Sequence, residues 1–246
     1  MALLIRKKPS GGVITTAPSL ILAGTGQGAT GSLTYDLAAS GGDIASVLQA
    51  DDVLFSLIHT CNEAPGQNPP AGHNSLTIPS NGIGTAAAIG SVAMYATWKR
   101  CVGGEVNISF GDSGDHTFAR TYLIRGCKKS GVPVICLNSA SGNVSEPVGV
   151  PVSDTTTALN LILYAAAHGQ DLGSDFVISW SDSALTSGSS PHAENGTTLG
   201  NGGGLGAYFG VKTAAGSLGS PTIDMQNVTQ PLNVVRASFA FLPVGA

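Results

Sequence analysis

The sequence predicts an all-β protein, an antiparallel β-sandwich or jelly roll preceded by an extended N-terminal arm. Three observations carry that prediction: only 11% of the 246 residues are charged, 34 are glycine, and short apolar runs alternate with turn clusters along the chain. Helices standing in water need charged outer faces, and a glycine inside a helix costs about 1 kcal/mol relative to alanine. Disorder fits no better, because 42% of the residues are hydrophobic and the formal net charge is −4, which leaves much to bury and little self-repulsion. The length suits one large β domain or two small ones.

Taken in order, residues 1–31 read as the arm. Apolar Leu3, Leu4 and Ile5 run into basic Arg6, Lys7 and Lys8; a second apolar stretch, 13–23, is interrupted by Pro18; a glycine-rich link, 24–31, follows. The body spans 32–246, with strands expected at 33–37, 53–60, 91–100, 105–110, 116–125, 132–137, 158–167, 175–181, 205–213, 221–225 and 233–242. Period-two alternation is the warrant: Val92, Met94, Ala96 and Trp98 share one face, as do Leu159, Leu161, Leu163 and Ala165. Two stretches without Gly or Pro, 43–64 and 152–168, compete as helices. The first holds a turn of helix at 44–49 ahead of its strand. The second opens on Thr155, Thr156 and Thr157 and alternates by two, so it reads as strand.

An internal echo divides the body. Tyr95-Ala-Thr-Trp-Lys99, a strand around Ile108 and Arg120-Thr-Tyr-Leu-Ile124 parallel Tyr208-Phe-Gly-Val-Lys212, a strand around Ile223 and Arg236-Ala-Ser-Phe-Ala. Tyr-to-Arg spacings are 25 and 28, and each set follows an apolar strand. Two related halves, about 32–137 and 150–246, would supply about eight core strands, the jelly-roll number.

Charge is unevenly placed. Arg6, Lys7 and Lys8 are three of eleven basic residues, and the rest of the chain, with eight basic and fifteen acidic groups, carries −7. A basic arm ahead of an acidic body argues against a general nucleic-acid binder and suits an arm that lies on an acidic neighbour. Residues 1–5 are too short an apolar stretch for a secretory signal, and the longest clean apolar run, 161–167, is far below the ~18 residues of a membrane helix, so synthesis and folding in a cytosol are expected. Cys61, Cys101, Cys127 and Cys136 have no CxxC spacing and read as buried or idle thiols, with bridging left open.

Sites that look catalytic do not survive inspection. Gly111-Asp-Ser-Gly114 and His59-Thr-Cys61 match fragments of chymotrypsin-like proteases, yet Asp115 and His116 stand where that family has glycine and proline, so residues 111–115 read as a hairpin turn. Gly26-Gln-Gly28-Ala-Thr-Gly31 has dinucleotide-fingerprint spacing but opens no helix and belongs to the flexible link. The five histidines show no metal-ligand spacing, and Asp51-Asp52 reads as a solvated turn. Neither catalytic residues, a cofactor nor a metal is expected. The aromatics read as core; Trp98 beside Lys99 and Arg100, Tyr95, or the loop 183–204 is where a carbohydrate would bind if the sandwich were a sugar-binding module. That loop and 62–74 exceed hairpin length and are expected to make subunit or partner contacts.

Asp52-Val-Leu-Phe-Ser-Leu-Ile58, Pro69-Pro-Ala-Gly72, the strand 92–99 and the closing Arg236-Ala-Ser-Phe-Ala-Phe-Leu-Pro243 together resemble a recurrent β-sandwich module of tailed-bacteriophage virion proteins and related bacterial surface proteins. The chain departs from that module at His73, where a Trp is expected after the glycine. The resemblance implies a non-enzymatic structural protein of the virion, made in the host cytoplasm: a capsid decoration or cement protein, or alternatively a tail or fibre protein. It implies partners among the major capsid protein and other virion proteins, self-association as a homotrimer, and no nucleic acid or membrane. The arm residues Leu3, Leu4, Ile5, Arg6, Lys7 and Lys8 are the expected partner-binding group.

Overall fold

A computed structural model of the chain describes residues 16–24, 27–29, 32–38, 43–61, 69–76, 84–86, 90–110, 117–145, 147–155, 157–169, 177–186, 192–195, 203–226 and 231–246. The first half contributes β1 (Ser19–Ala23), β2 (Gln27–Ala29), β3 (Leu33–Asp36), a short helix α1 (Ile44–Val47), β4 (Val53–Cys61), β5 (Asn74–Leu76), β6 (Gly84–Ala86), β7 (Gly90–Arg100), β8 (Asn107–Phe110) and β9 (Thr117–Arg125). The second contributes β10 (Val134–Val144), β11 (Val148–Gly149), β12 (Asn160–His168), β13 (Val177–Ser181), β14 (His192–Asn195), β15 (Gly204–Lys212), β16 (Thr222–Gln226) and β17 (Leu232–Phe241). The helical turn forms where an N-cap is available: the Asp43 carboxylate accepts from the Ser46 amide at 3.0 Å, and Leu48 returns to extended backbone.

The fold is an all-β antiparallel sandwich in which each large sheet comes from one half of the chain. The first sheet runs β1-β9-β4-β7-β5, with β2 also on β9 and β6 also on β7, and the second runs β10-β17-β12-β15-β14. Read in chain order, the large-sheet strands of the two halves occupy the same places. The leading strand of each pairs with the last across a β-bulge, between Leu20 and Leu22 in β1 and between Cys136 and Asn138 in β10. Smaller sheets, β3-β8 and β11-β16-β13, are inserted at corresponding points.

Four layers result. Phe55, Leu57, Met94, Phe118 and Tyr122 of the first sheet meet Leu163, Phe209, Phe239 and Phe241 of the second in the central core. β3, β8 and α1 cover the first sheet's other face with Leu33, Tyr35, Ile44, Ile108 and Phe110 against Leu54, Ile58 and Leu123. The outer sheet with β16 covers the second in the same way, through Val150, Leu218 and Ile223 against Ile162, Tyr164 and Ala240. Trp180 stacks on Tyr164 and Tyr208 at centroid separations of 6.4 and 6.0 Å. Covering both faces explains why β12 reads as one apolar run, Asn160 to His168 being buried throughout.

Two expectations change. The stretch 1–31 is not wholly an arm: β1 and β2 pair with β9, so 27–29, read as flexible link, is strand. The Tyr and Lys of the echo do occupy matching faces, Tyr95 and Lys99 on β7 turned from the central core as Tyr208 and Lys212 are on β15. The two arginines do not. Arg120 shares the inward face of β9 with Phe118 and Tyr122, whereas Arg236 alternates with inward Val235 and Ala237 and donates to the Gly149 carbonyl at 2.7 Å. In each half the Tyr and the Arg stand on different strands with another strand and loops between, so similar spacings do not fix the face the arginine takes.

Candidate interaction surface

One end of the sandwich gathers most of the cations found among the described residues. β7 ends at Arg100, β9 ends at Arg125, and the entrance to β4 carries Asp51 and Asp52, so the sheet register brings these termini together. The Arg125 guanidinium holds Asp52 in two hydrogen bonds, Nε to Oδ1 at 2.8 Å and Nη2 to Oδ2 at 2.7 Å, and donates to the Val47 carbonyl at 2.8 Å. This hydrogen bonding raises the Arg125 pKa from its ordinary value. Asp52 also accepts from the Gln49 amide and is only 2% exposed, so it is a structural anchor and not the solvated turn expected.

Around that anchor the other cations are exposed or half-exposed. Lys129 pairs with Asp51 at 3.1 Å, Arg100 donates to the Lys128 carbonyl at 2.5 Å, and Lys99 pairs with Glu105 at 3.3 Å. Burial raises the Glu105 pKa, but hydrogen bonds from the Val102 and Glu105 amides and the Lys99 ammonium outweigh it, and the net shift is downward. Lys212 closes β15 at the same end, opposite Asn160. Of the eight basic residues beyond position 8, six therefore lie here, and Arg120 and Arg236 lie within strands.

The same end carries the exposed large hydrophobics of the described residues: Val47, Val102, Val106, Val132 and Val244. A cleft of about 200 Å³ opens among Asp51, Asp52, Arg125, Cys127, Lys129 and Val244. Cations and valines side by side form a surface suited to contact with a protein, where the apolar groups are desolvated and the charges set orientation.

The chain enters the fold at this end. Ser19 pairs with Arg125, and the Pro18 Cα lies 3.6 Å from where a side chain on Gly126 would begin, so the first described residues lie beside the cationic cluster. Leu3, Leu4, Ile5, Arg6, Lys7 and Lys8 themselves lie outside the described residues.

Other residues singled out by the sequence are placed differently. Trp98 packs toward the central core while Tyr95, 6% exposed, lies on the opposite face of β7, so they form no common sugar platform. Most of the loop 183–204, all of 111–116 and the Cys61 side chain lie outside the described residues. Cys101, Cys127 and Cys136 are free thiols, pushed by burial to about 12, 12 and 11. Among the described residues there is no cluster of three metal-ligating side chains. His59, fully buried, bonds the His168 backbone; burial lowers His59 to about 4, and burial with neighbouring His59 lowers His168 to about 3.

Sequence reasoning missed the clustered cations because they lie at the ends of separate strands that only the register joins. It also missed the length of β10, expected to end at 137 and extending to Val144. No protein-family model, curated protein or solved structure matches the chain.

Proposed function

We propose that the chain is a non-enzymatic structural protein of a tailed-bacteriophage virion, a capsid decoration or cement protein that binds the major capsid protein and other copies of itself, as a homotrimer. Leu3, Leu4, Ile5, Arg6, Lys7 and Lys8 are its contact arm. The observation that carries the reading is the position of the first described residues beside Arg125 and Gly126, at the end where cations and exposed valines gather. Arm and sandwich end then act as one continuous contact surface, with multiplicity on a symmetric particle adding avidity to a modest single contact.

The test is incorporation. Density-banded particles from a lysate of the source are analysed by mass spectrometry for this chain, and the fractions are separated into heads and tails. Stoichiometric presence on heads is expected, removed by deletion of residues 1–15. Presence on tails moves the protein to the tail or fibre class, and absence from every particle fraction overturns the virion reading.

A further inference from the structure

We propose that β10 receives residues 2–6 of a neighbouring copy as an added antiparallel strand. The proposal rests on the self-association assigned above and names the surface that accepts the arm. Among the described residues β10 pairs only with β17, and it is the long edge of the molecule: eleven residues against three to five for β1, β2, β5, β6 and β14. Edge strands are ordinarily kept from pairing by shortness, lysine or proline. β10 has none of these, containing no charged residue and no proline.

Its backbone direction can be read. The Ser139 amide is taken at 2.8 Å by the Asn138 side chain, beyond the bulge, so it faces away from β17. In an antiparallel pair the main chain alternates between the two sides, which turns Ser141 and Asn143 outward as well. Both are exposed, and neighbouring Ala140 and Gly142 are small enough to let another strand approach. The bulge and the Asn138 side chain cover one end of the edge and leave 140–143 able to pair.

The arm fits this edge in length and chemistry. Fifteen residues of the sequence precede Thr16, a reach of about 50 Å when extended. Residues 2–5 are uncharged, like the edge they would join. Seated antiparallel along 140–143, they carry Arg6, Lys7 and Lys8 toward Asn138. There the segment bonded through the Pro151 and Val152 carbonyls leads to exposed Asp154.

A neighbouring copy is the donor in this proposal, because the chain's own arm would have to wrap around the sandwich to reach β10. β9 packs over β15 through Tyr122 and Phe209 at 5.0 Å, whereas β6 at the other edge of the first sheet approaches β17 and β10. β1 is therefore on the side of the sandwich opposite β10. Donation from each copy to the next is a heterologous contact that closes as a ring.

The test uses the purified full chain. A photo-reactive benzoylphenylalanine replaces Ser141, isotopically light and heavy chains are mixed, and cross-linked peptides are mapped. Links from position 141 to residues 1–8 of the oppositely labelled chain are expected. Links only within one chain, links to another copy's β10, or no links at all overturn the proposal. In parallel, Ser141→Pro removes an amide that β17 does not use, and light scattering should report a fall from oligomer to single-chain mass with unchanged circular dichroism. An unchanged mass, or a wild-type protein that is monomeric, also overturns it. Because no particle is present, failure of the virion reading leaves these measurements standing, and their failure leaves incorporation to be decided on its own.

Discussion

Arg125 clamps Asp52 in a two-pronged ion pair that ties the end of β9 to the entrance of β4, and the carboxylate is buried while the guanidinium keeps about a third of its surface in water. That asymmetry decides the energetics. Removing the buried partner also takes the acceptor from the Gln49 amide, so Asp52→Ala should destabilise by about 3 kcal/mol. Lys129→Ala, which breaks the exposed pair with Asp51, should cost under about 0.5 kcal/mol. Urea denaturation of both variants checks the contrast, and equal costs would show that the clamp is no stronger than a surface pair.

Gly203 cannot carry a side chain. Its φ is +63°, and an added Cβ would stand 2.0 Å from the His168 carbonyl oxygen and 2.7 Å from Cε1 of His59, where backbone blocks any escape. Gly203→Ala should therefore destabilise by about 2–4 kcal/mol. Gly142→Ala, whose Cβ would meet only Val144 Cγ1 at 3.8 Å, should change stability by less than about 0.5 kcal/mol. Thermal midpoints of the two variants compare them directly.

How far the sequence was readable follows the kind of signal each element carries. β4, β7, β9, β12, β15 and β17 are found within two residues of where alternation or apolar runs put them, because these strands are buried and consist of β-forming residues. Residues 138–144 of β10, Asn-Ser-Ala-Ser-Gly-Asn-Val, carry almost no β-propensity and are strand only through pairing with β17. β5, β6 and β14 are too short for periodicity to show. The low charge has an internal cause as well: both large sheets are covered on both faces by the chain itself, so their central strands have no solvent face to charge. The cationic end was illegible because Lys99, Arg100, Arg125 and Lys212 close three different strands and Lys128 and Lys129 follow β9, and proximity depends on register, not spacing.

Acid should weaken the fold through the two buried histidines. Both folded pKa values lie below the ordinary 6.5, at about 4 for His59 and about 3 for His168, so the unfolded chain binds more protons between these values and 6.5. Their stabilising contribution is complete above about pH 6.5 and is lost as pH falls toward 4 and 3. The shift at His59 corresponds to a loss on the order of 3 kcal/mol. Denaturant midpoints between pH 7 and pH 4 should fall steadily in the wild type and less steeply in His59→Gln. A flat profile over that range would rule out the buried histidines as the acid-sensitive groups.

The contact between the large sheets should be strongest at Phe55. Its ring meets Phe239 and Phe241 edge-on, each at 5.2 Å, and all three are fully buried in the central core. Edge-to-face pairs add about 0.5–1.5 kcal/mol beyond the area they bury. Truncation of Phe55 also opens a cavity between two sheets that cannot collapse independently, since each is backed by its own outer layer. Phe55→Ala should thus cost about 3–5 kcal/mol, and a double-mutant cycle with Phe239→Ala should give a coupling of about 1 kcal/mol. Trp98, half-buried at the margin of the same core, should cost less when truncated. Additive Phe55 and Phe239 effects would show that their edge-on contact contributes no coupling across the central core.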